Sequence, residues 1–259
     1  MSSYIPQPPG AGDQPPPPQT PRLGMVQVRL PEGRRIVTFI ILGLTIIVFL
    51  LQVVTQSVMG YDYPLALGAK HNALISQGEL WRLFTPMLLH GSLAHIGFNM
   101  YALLILGPGL ERYYGHLRFL ALYVVAGFAG NVFSFLFTPG ISVGASTAIF
   151  GLVAAQGVFL YRHQQLFGAR ARSGLMNIIF IVAINLFLGL TPGIDNWGHL
   201  GGLFGGLALA WLGGPMLELV GATPYMELVN RRSEGETYLV ALLVGLFFAG
   251  LAFWAIFFR

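Results

Sequence analysis

The fold is decided by a run of 43 residues that contains no Asp, Glu, Lys or Arg, FLALYVVAGFAGNVFSFLFTPGISVGASTAIFGLVAAQGVFLY, residues 119–161. A bilayer-spanning helix needs ~20 apolar residues, so this run is long enough for two spans. In the whole chain 55% of the 259 residues are hydrophobic and 9% are charged, against roughly 25% charged residues in a soluble domain. So few polar side chains cannot cover a water-exposed surface, which excludes a soluble globular protein and predicts an all-α polytopic membrane protein.

Outward from this run, the apolar segments of the chain predict seven membrane-spanning helices. They lie at about 36–57, 86–107, 118–138, 145–161, 174–192, 197–214 and 237–258. The segment 59–85 mixes apolar, aromatic and charged residues, so we expect it to lie in the membrane interface. Residues 1–34 are rich in proline and we expect them to form a disordered cytoplasmic tail. After this tail, the chain divides into a six-helix core over residues 35–214 and a segment over 215–259 that contains a linker and the seventh helix.

The basic residues divide unevenly between the two sides of this seven-span arrangement. Only Lys70, Arg82 and Arg259 lie on the side opposite the amino terminus. The other eleven lie on the amino-terminal side: Arg22, Arg29, Arg34, Arg35, Arg112, Arg118, Arg162, Arg170, Arg172, Arg231 and Arg232. Because basic loops stay in the cytoplasm, we predict a cytoplasmic amino terminus. We expect a multi-pass protein of a bacterial-type cell (plasma) membrane.

The same charge distribution limits the partners and cofactors that the chain can be expected to bind. The net charge of +4 comes from residues between the apolar runs, so it indicates topology and we predict no nucleic-acid partner. The chain has no cysteine, which excludes disulfides and thiolate metal sites. The sequence carries no signal of oligomeric state.

Polar residues within the predicted spans are few, and such residues usually face a bundle interior or a water-filled cavity. Those present are His90, His95, Asn99, Asn131, Ser134, Ser146, Thr147, Gln156, Asn177, Asn185 and His199. The second, fourth and sixth spans run in one direction, so Ser146 and His199 at the start of two of them lie in the outer half of the membrane. His95 and Asn99, roughly nine to thirteen residues into the second span, lie in the same half and on one helix face.

A serine and a histidine at matched depth favour nucleophilic catalysis, because an imidazole activates a serine hydroxyl by taking its proton. The tetrahedral intermediate then requires hydrogen-bond donors, which His95 and Asn99 can supply. Asp195 either orients His199 or, more in keeping with its position, caps the helix start. A lone serine in a bilayer helix usually bonds to backbone, so the hypothesis depends on the cluster. Small residues that allow close helix approach support it: Gly151, Gly201, Gly202, Gly205 and Gly206.

Four motifs in this order and spacing resemble those of the rhomboid intramembrane serine proteases over about residues 36–214. They are Trp81–Arg82, His90-Gly-Ser-Leu-Ala-His95-Ile-Gly-Phe-Asn99, Gly144-Ala145-Ser146 and Gly198-His199-Leu200-Gly201-Gly202. The resemblance implies a rhomboid-like six-helix bundle with a seventh, carboxy-terminal transmembrane helix. It also implies an intramembrane serine endopeptidase that cleaves transmembrane-helix protein substrates in the lipid bilayer, without a metal or cofactor, at a site open to the outer face.

The same resemblance implies a role for each matched residue. Ser146 corresponds to the nucleophile and His199 to the general base, while the Ser146 backbone N–H joins the oxyanion hole. The other residues implied to serve the site are His95 and Asn99 in the oxyanion hole, Phe150 against the base, and Gly144, Trp81 and Arg82 as support for the substrate site.

One residue departs from the family pattern, because Thr147 follows Ser146 where rhomboids usually have glycine. Its side chain can crowd the oxyanion hole or a neighbouring helix, or its hydroxyl can bond backward along its own helix. Two other functions are compatible with the spans. One is a non-catalytic rhomboid-like protein that binds membrane helices. The other is a transporter or channel with His95 and His199 as proton carriers, which the apolar inner halves of the spans disfavour.

Overall fold

The structure is a computed structural model that describes residues 27–29, 35–222 and 225–258. Its helices, in chain order, are α1 (Ile36–Met59), α2 (Tyr63–Gly68), α3 (Asn72–Ser76), α4 (Leu93–Tyr114), α5 (His116–Phe137), α6 (Ser146–Arg162), α7 (Gln164–Phe167), α8 (Ala169–Leu188), α9 (Asn196–Gly213) and α10 (Glu234–Phe258). Two 3-10 helices, Leu80–Leu83 and Thr85–Leu88, lie between α3 and α4. The predicted tail residues 1–26 and 30–34 lie outside the described part of the chain.

The long helices confirm an all-α polytopic membrane protein. Within the described residues, α1, α4, α5, α8 and α10 are long and apolar enough to cross a membrane. The other two predicted spans also form helices, α6 and α9, but α6 has only 17 residues and α9 contains Asn196 and His199. Seven crossings therefore stay a prediction.

The centre of the bundle is formed by α5, α6 and α9, whose backbones are brought close together by glycine. A methyl group on Gly202 would lie 1.9 Å from the Thr147 carbonyl oxygen, and one on Gly206 would lie 2.3 Å from the Gly151 Cα. A methyl group on Gly151 would in turn lie 2.1 Å from the Cβ of Ala126 in α5. Small residues at these positions therefore set the spacing of the three helices, as the sequence predicted.

Helix α1 is attached to the core by a narrow buried side that includes Val37 and Ile41 and by polar contacts near its two ends. At its start the Glu111 carboxylate accepts bonds from the backbone N–H groups of Val37 (2.8 Å) and Thr38 (2.9 Å) and from the Thr38 hydroxyl. Near its other end, the Gln52 amide donates to Asp62 Oδ2 at 2.9 Å. Between these contacts the helix exposes a broad apolar side, as expected for a lipid-facing helix: Phe39, Ile40, Ile47, Leu50 and Leu51.

Helix α4 begins seven residues later than the predicted span, at Leu93 rather than residue 86. Pro86 lies in a 3-10 helix, and the Ser92 hydroxyl caps α4 by accepting the His95 N–H at 3.1 Å. His90 therefore lies in the loop before the helix. His95 and Asn99 lie in its first two turns instead of nine to thirteen residues into a span.

A three-stranded sheet that the sequence did not predict lies beside the ends of α6 and α9. The strands are β1 (Gln27–Arg29), β2 (Leu217–Ala222) and β3 (Tyr225–Asn230), in the order β1-β3-β2. β3 pairs in parallel with β1 and antiparallel with β2. Leu217 and Leu228 are buried and pack with Phe159 of α6, so the hairpin is attached to the helix bundle.

Candidate active site

The predicted nucleophile and base are joined across two helices. Ser146 is the first residue of α6, and His199 lies in the first turn of α9. His199 Nε2 is 3.0 Å from Ser146 Oγ, within the range expected of a nucleophile and the base that activates it. The close backbones of α6 and α9 place the two residues at this distance.

The His199 ring is oriented by stacking rather than by a carboxylate. The Phe150 ring lies one turn after Ser146 and stacks on the imidazole, with centroids 4.3 Å apart and planes inclined by 9°. The Nδ1 atom of His199 has no hydrogen-bond partner among the described residues. The arrangement is therefore a serine–histidine pair without the acidic third member of a triad.

Asp195 fixes the start of α9, as the capping alternative predicted. Its Oδ1 atom accepts the Gly198 N–H at 2.9 Å and the Thr138 hydroxyl at 2.7 Å, and its Oδ2 atom accepts the Ser134 hydroxyl. Burial alone would raise the pKa of Asp195, but hydrogen bonds, led by those of Ser134 and Ser142, bring it below its usual value. The carboxylate thus ties α9 to the end of α5 and positions His199 through the helix.

Of the two predicted oxyanion donors, His95 lies against the loop that leads to Ser146, and Asn99 is a buried residue one turn further along α4. Gly144 has a φ of 134°, which favours glycine, and a methyl group there would lie 2.8 Å from two ring atoms of His95. The His95 ring therefore lies against the Gly144 backbone. Asn99 is 7% exposed, and its Nδ2 donor has no partner among the described residues. An amide donor is thus free to bind an anionic oxygen.

His90 supports the same loop from the segment before α4. Its Nε2 atom accepts the Ala145 N–H at 3.4 Å, and its ring lies 5.0 Å from that of His95. Its backbone exchanges two hydrogen bonds with the Gln52 amide. Burial, and secondarily the neighbouring His95, lower the pKa of His90 to about 4. His90 is therefore neutral at physiological pH and can accept the Ala145 bond.

Trp81 and Arg82 stabilise the loop before α4, and among the described residues neither is bonded to Ser146 or His199. Arg82 is 3% exposed and donates to the backbone oxygens of Ala69 (2.9 Å) and Ala66 (2.8 Å). Trp81 donates to the Leu67 oxygen at 3.0 Å. These bonds hold the loop together, and a supporting role of the two residues at the substrate site stays a prediction.

In the described part of the chain no metal site accompanies these residues. Over the described ranges 35–222 and 225–258, no three His, Asp or Glu side chains come close enough to hold a metal ion. The three histidines of the site contact Ala145, Gly144 and Ser146 instead.

Lys70 is a buried residue near the site whose role the sequence did not predict. Its Nζ atom donates to the carbonyl oxygens of Thr138 and Gly140, each at 2.7 Å, and to Asn72 Oδ1 at 3.0 Å. Its backbone pairs with that of Ser142. Lys70 therefore attaches the loop before α4 to the loop that leads to Ser146. The only signal in the sequence is a lysine within a largely apolar segment.

Lys70 gives an expected pH dependence of stability. Burial lowers its pKa to about 8, whereas the unfolded chain keeps the proton up to pH ~10.4. Between these values the unfolded state binds more protons, so the free energy of unfolding rises with pH. We expect the midpoint of thermal unfolding in detergent to rise from pH ~8 to pH ~10 relative to that of Lys70→Met. If the midpoint changed equally with pH in the two proteins, the lowered pKa of Lys70 would be contradicted.

Thr147 lies on the side of α6 that faces α5 and α9. A methyl group on Gly130 would lie 2.6 Å from the Thr147 Cβ, and one on Gly198 would lie 3.2 Å from its Cγ2. Two glycines thus leave room for this side chain, which contacts neighbouring helices without crowding them. Its hydroxyl has no partner among the described residues, so the expected bond backward along the helix does not form.

We expect Thr147 to act by shape alone. Thr147→Val keeps the volume and removes an unpartnered hydroxyl, so stability should stay constant or rise by about 1 kcal/mol. Thr147→Gly leaves a void between three helices and should destabilise by about 1–2 kcal/mol. Thermal unfolding in detergent measures both. A large loss of stability in Thr147→Val would show that the hydroxyl forms a bond, contrary to this account.

Comparison with known proteins gives the family of the chain. A family model described as the Rhomboid domain matches residues 77–216. The chain is 40% identical over 222 residues, 85% of its length, to "Rhomboid protease GluP" of Bacillus subtilis (strain 168), of which the match covers 41%. It is 41% identical over 140 residues to "RHOMBOID-like protein 1" of Arabidopsis thaliana, with 54% of this chain and 36% of that protein covered.

A third relative is "RHOMBOID-like protein 6, mitochondrial" of Arabidopsis thaliana, 39% identical over 148 residues, with 56% of this chain and 48% of that protein covered. The chain thus spans less than half the length of these curated relatives. The matched domain nevertheless includes more than half of the chain and contains Ser146, His199, His95 and Asn99. The chain belongs to the rhomboid family.

Proposed function

We propose that this protein is an intramembrane serine endopeptidase that hydrolyses peptide bonds in or next to the transmembrane helices of other membrane proteins. The observation that carries the proposal is the 3.0 Å contact between Ser146 Oγ and His199 Nε2. It occurs in a chain of the rhomboid family with several membrane-spanning helices. A serine and a histidine in contact have little other use within an apolar bundle, where polar side chains are costly.

In the first half of the reaction, His199 acts as general base. Its Nε2 atom takes the Ser146 hydroxyl proton while Oγ attacks the carbonyl carbon of the scissile bond. The carbonyl oxygen becomes an oxyanion near the start of α6, where the first N–H groups have no acceptor within the helix and the helix dipole favours negative charge. His95 and the unpartnered Asn99 amide add donors.

The second half of the reaction reverses these proton transfers. The imidazolium of His199 donates its proton to the leaving amine, the C–N bond breaks, and the acyl group remains on Ser146. His199 then takes a proton from a water molecule while the water oxygen attacks the ester. The imidazolium returns this proton to Ser146 Oγ as the ester bond breaks, which releases the carboxylic acid and restores the serine and the neutral histidine. Phe150 keeps the ring in one plane throughout by stacking, in place of the carboxylate of a triad.

The substrate class follows from the reaction that the site performs. Peptide bonds inside a helix are shielded and their carbonyl groups are already bonded, so the substrate helix must unwind before the attack. Glycine and proline lower helix stability by ~1 and ~3 kcal/mol, respectively. We therefore propose substrates with such residues, or with polar residues, near the cleaved bond.

We further propose that the amino terminus is cytoplasmic and that the site opens to the outer face of a bacterial-type plasma membrane. The uneven division of basic residues supports this orientation. The chain has no cysteine, so a single introduced cysteine can be labelled selectively and shows on which side of the membrane it lies. Gly140→Cys and Gly235→Cys are suitable, because a side chain at either position has open space around it. Labelling of intact cells by a membrane-impermeant maleimide at position 140 alone is the expected result, and labelling at position 235 alone would reverse the orientation.

The decisive experiment is incubation of the purified protein with a panel of single-span substrates, beside the Ser146→Ala variant. Wild-type protein should cleave at least one substrate, and Ser146→Ala should cleave none while it unfolds at the same temperature. A fluorophosphonate or isocoumarin should label Ser146, and a substrate helix should compete. Cleavage by Ser146→Ala would refute the proposal. Binding of substrate helices with neither labelling nor cleavage would indicate the non-catalytic alternative.

A further inference from the structure

A second group of incompletely bonded polar side chains lies at the end of the bundle opposite the Ser146–His199 pair. There α6 ends at Arg162, α9 ends at Gly213, and Arg232 follows strand β3. Arg162 donates to the Trp211 carbonyl oxygen, and Arg232 donates to that of Leu212. These bonds cap the end of α9, yet each guanidinium group has five donors, and most of them are left over.

The positive charge of this arginine cluster (Arg118, Arg162 and Arg232) is not balanced by carboxylates. Arg118 donates to the Arg232 carbonyl oxygen at 3.3 Å and is 3.5 Å from the exposed Glu234. Among the described residues Arg162 and Arg232 take part in no ion pair, and both donate to carbonyl oxygens at the same end of α9. One exposed carboxylate thus faces three guanidinium groups.

Three polar atoms of this region have no hydrogen-bond partner among the described residues, and all three lack an acceptor. Arg118 Nε, Arg162 Nη1 and Asn230 Nδ2 are buried nitrogen donors without an acceptor among the described residues. Asn230 belongs to the cluster because its Oδ1 atom accepts the N–H groups of Arg232 (3.0 Å) and Met216 (2.9 Å). A buried donor without a partner is destabilising, because it loses its bond to water and gains none in the protein. The missing group is therefore rich in acceptor oxygens and negatively charged.

We propose that the arginine cluster binds the phosphate group of an anionic phospholipid. A phosphodiester supplies several acceptor oxygens and one negative charge, and guanidinium groups bind phosphate with paired hydrogen bonds. Trp211 and Tyr161 are both about half exposed, and their rings lie 5.8 Å apart beside the cluster. Such aromatic pairs occur at the depth of lipid headgroups, which favours a lipid phosphate over free phosphate. Arg162 also lies over the Trp211 ring, with its Cζ atom 4.9 Å from the ring centroid, and it is only partly buried, so a headgroup at the surface can reach its guanidinium group.

The test compares the full chain in detergent with added phosphatidylglycerol, phosphatidylcholine or inorganic phosphate. We expect phosphatidylglycerol alone to raise the midpoint of thermal unfolding and to stay bound in native mass spectrometry. Arg162→Gln and Arg232→Gln should each weaken this binding about tenfold, which corresponds to about 1.4 kcal/mol, because each removes a charge-assisted contact with the phosphate. The matched control is Arg170→Gln, an exposed arginine in the first turn of α8, which should bind as wild type does.

A second variant keeps the test informative if removal of an arginine unfolds the protein. Asn230→Asp places a carboxylate in the cluster and retains an acceptor oxygen for Met216 and Arg232. We expect it to be more stable than wild type without lipid and to lose the response to phosphatidylglycerol. The proposal is overturned if phosphatidylcholine stabilises equally, if inorganic phosphate reproduces the whole effect, or if the cluster variants respond as Arg170→Gln does.

Discussion

His199→Ala is expected to lower kcat/KM for a cleaved single-span substrate at least about 10³-fold, because the Ser146 hydroxyl then has no base to take its proton. Labelling of Ser146 by a fluorophosphonate should fall in parallel, since it also needs an activated hydroxyl. Initial rates of cleavage and the rate of labelling, measured on the same purified protein, check this expectation. Ser146→Ala combined with His199→Ala should be no slower than either single variant, because the two residues act as a unit.

The control for His199→Ala must separate lost chemistry from lost packing. His163→Ala removes another histidine, which follows α6 and bonds the Leu217 N–H at 2.9 Å, at the end of the bundle away from Ser146. We expect it to lower the unfolding temperature while kcat stays within a fewfold of wild type. If His163→Ala reduced cleavage as strongly as His199→Ala, the effect of the latter would be structural and the assignment of a base would fail.

Gly206→Ala is expected to destabilise the protein by about 3 kcal/mol and to abolish most of its activity. The added methyl group would lie 2.3 Å from the Gly151 Cα and 2.4 Å from the Gly151 oxygen. Both are backbone atoms, so only a separation of α6 from α9 relieves the clash. That separation moves Ser146 away from His199. Thermal unfolding in detergent and initial rates of cleavage measure the two consequences.

A matched glycine tests whether the contact, rather than the loss of a glycine, causes this effect. Gly109 lies inside α4, and a methyl group there has no atom within 4 Å. Gly109→Ala should leave cleavage unchanged and keep or raise stability by up to ~1 kcal/mol, because alanine favours helix over glycine. Equal destabilisation in the two variants would mean that the close approach of α6 and α9 does not limit stability.

The long helices and the Ser146–His199 pair could be predicted from the sequence, because helices in a bilayer are long apolar runs in which few polar residues occur. Polar residues are so costly in apolar spans that Ser146, His199, His95 and Asn99 are conspicuous there. The closeness of α6 and α9 was also predictable, since glycines recur on one face just after His199. Each of these inferences uses information local to one helix together with the common direction of the spans.

Features that depend on contacts between distant segments were not predictable. The start of α4 at Leu93 was missed for a different and local reason, because Ser92 caps the helix within a hydrophobic run that continues upstream. The β1–β3 pairing joins residues about 200 positions apart, and no periodicity in a three-residue strand reveals it. The role of Lys70 depends on carbonyl groups at the end of α5, which become acceptors only once the chain has folded.

The two polar attachments of α1 bear on how its sequence can change over time. Glu111 fixes one end of the helix and Gln52 the other, and the intervening lipid-facing side chains contact little protein. The rotation and depth of α1 therefore depend on these hydrogen bonds and on its narrow buried side, which includes Val37 and Ile41, and not on the lipid-facing side. Random drift among Leu, Ile, Val and Phe on that face should be nearly neutral. A single-residue insertion between the two attachments would turn the helix by about 100° and break one of them.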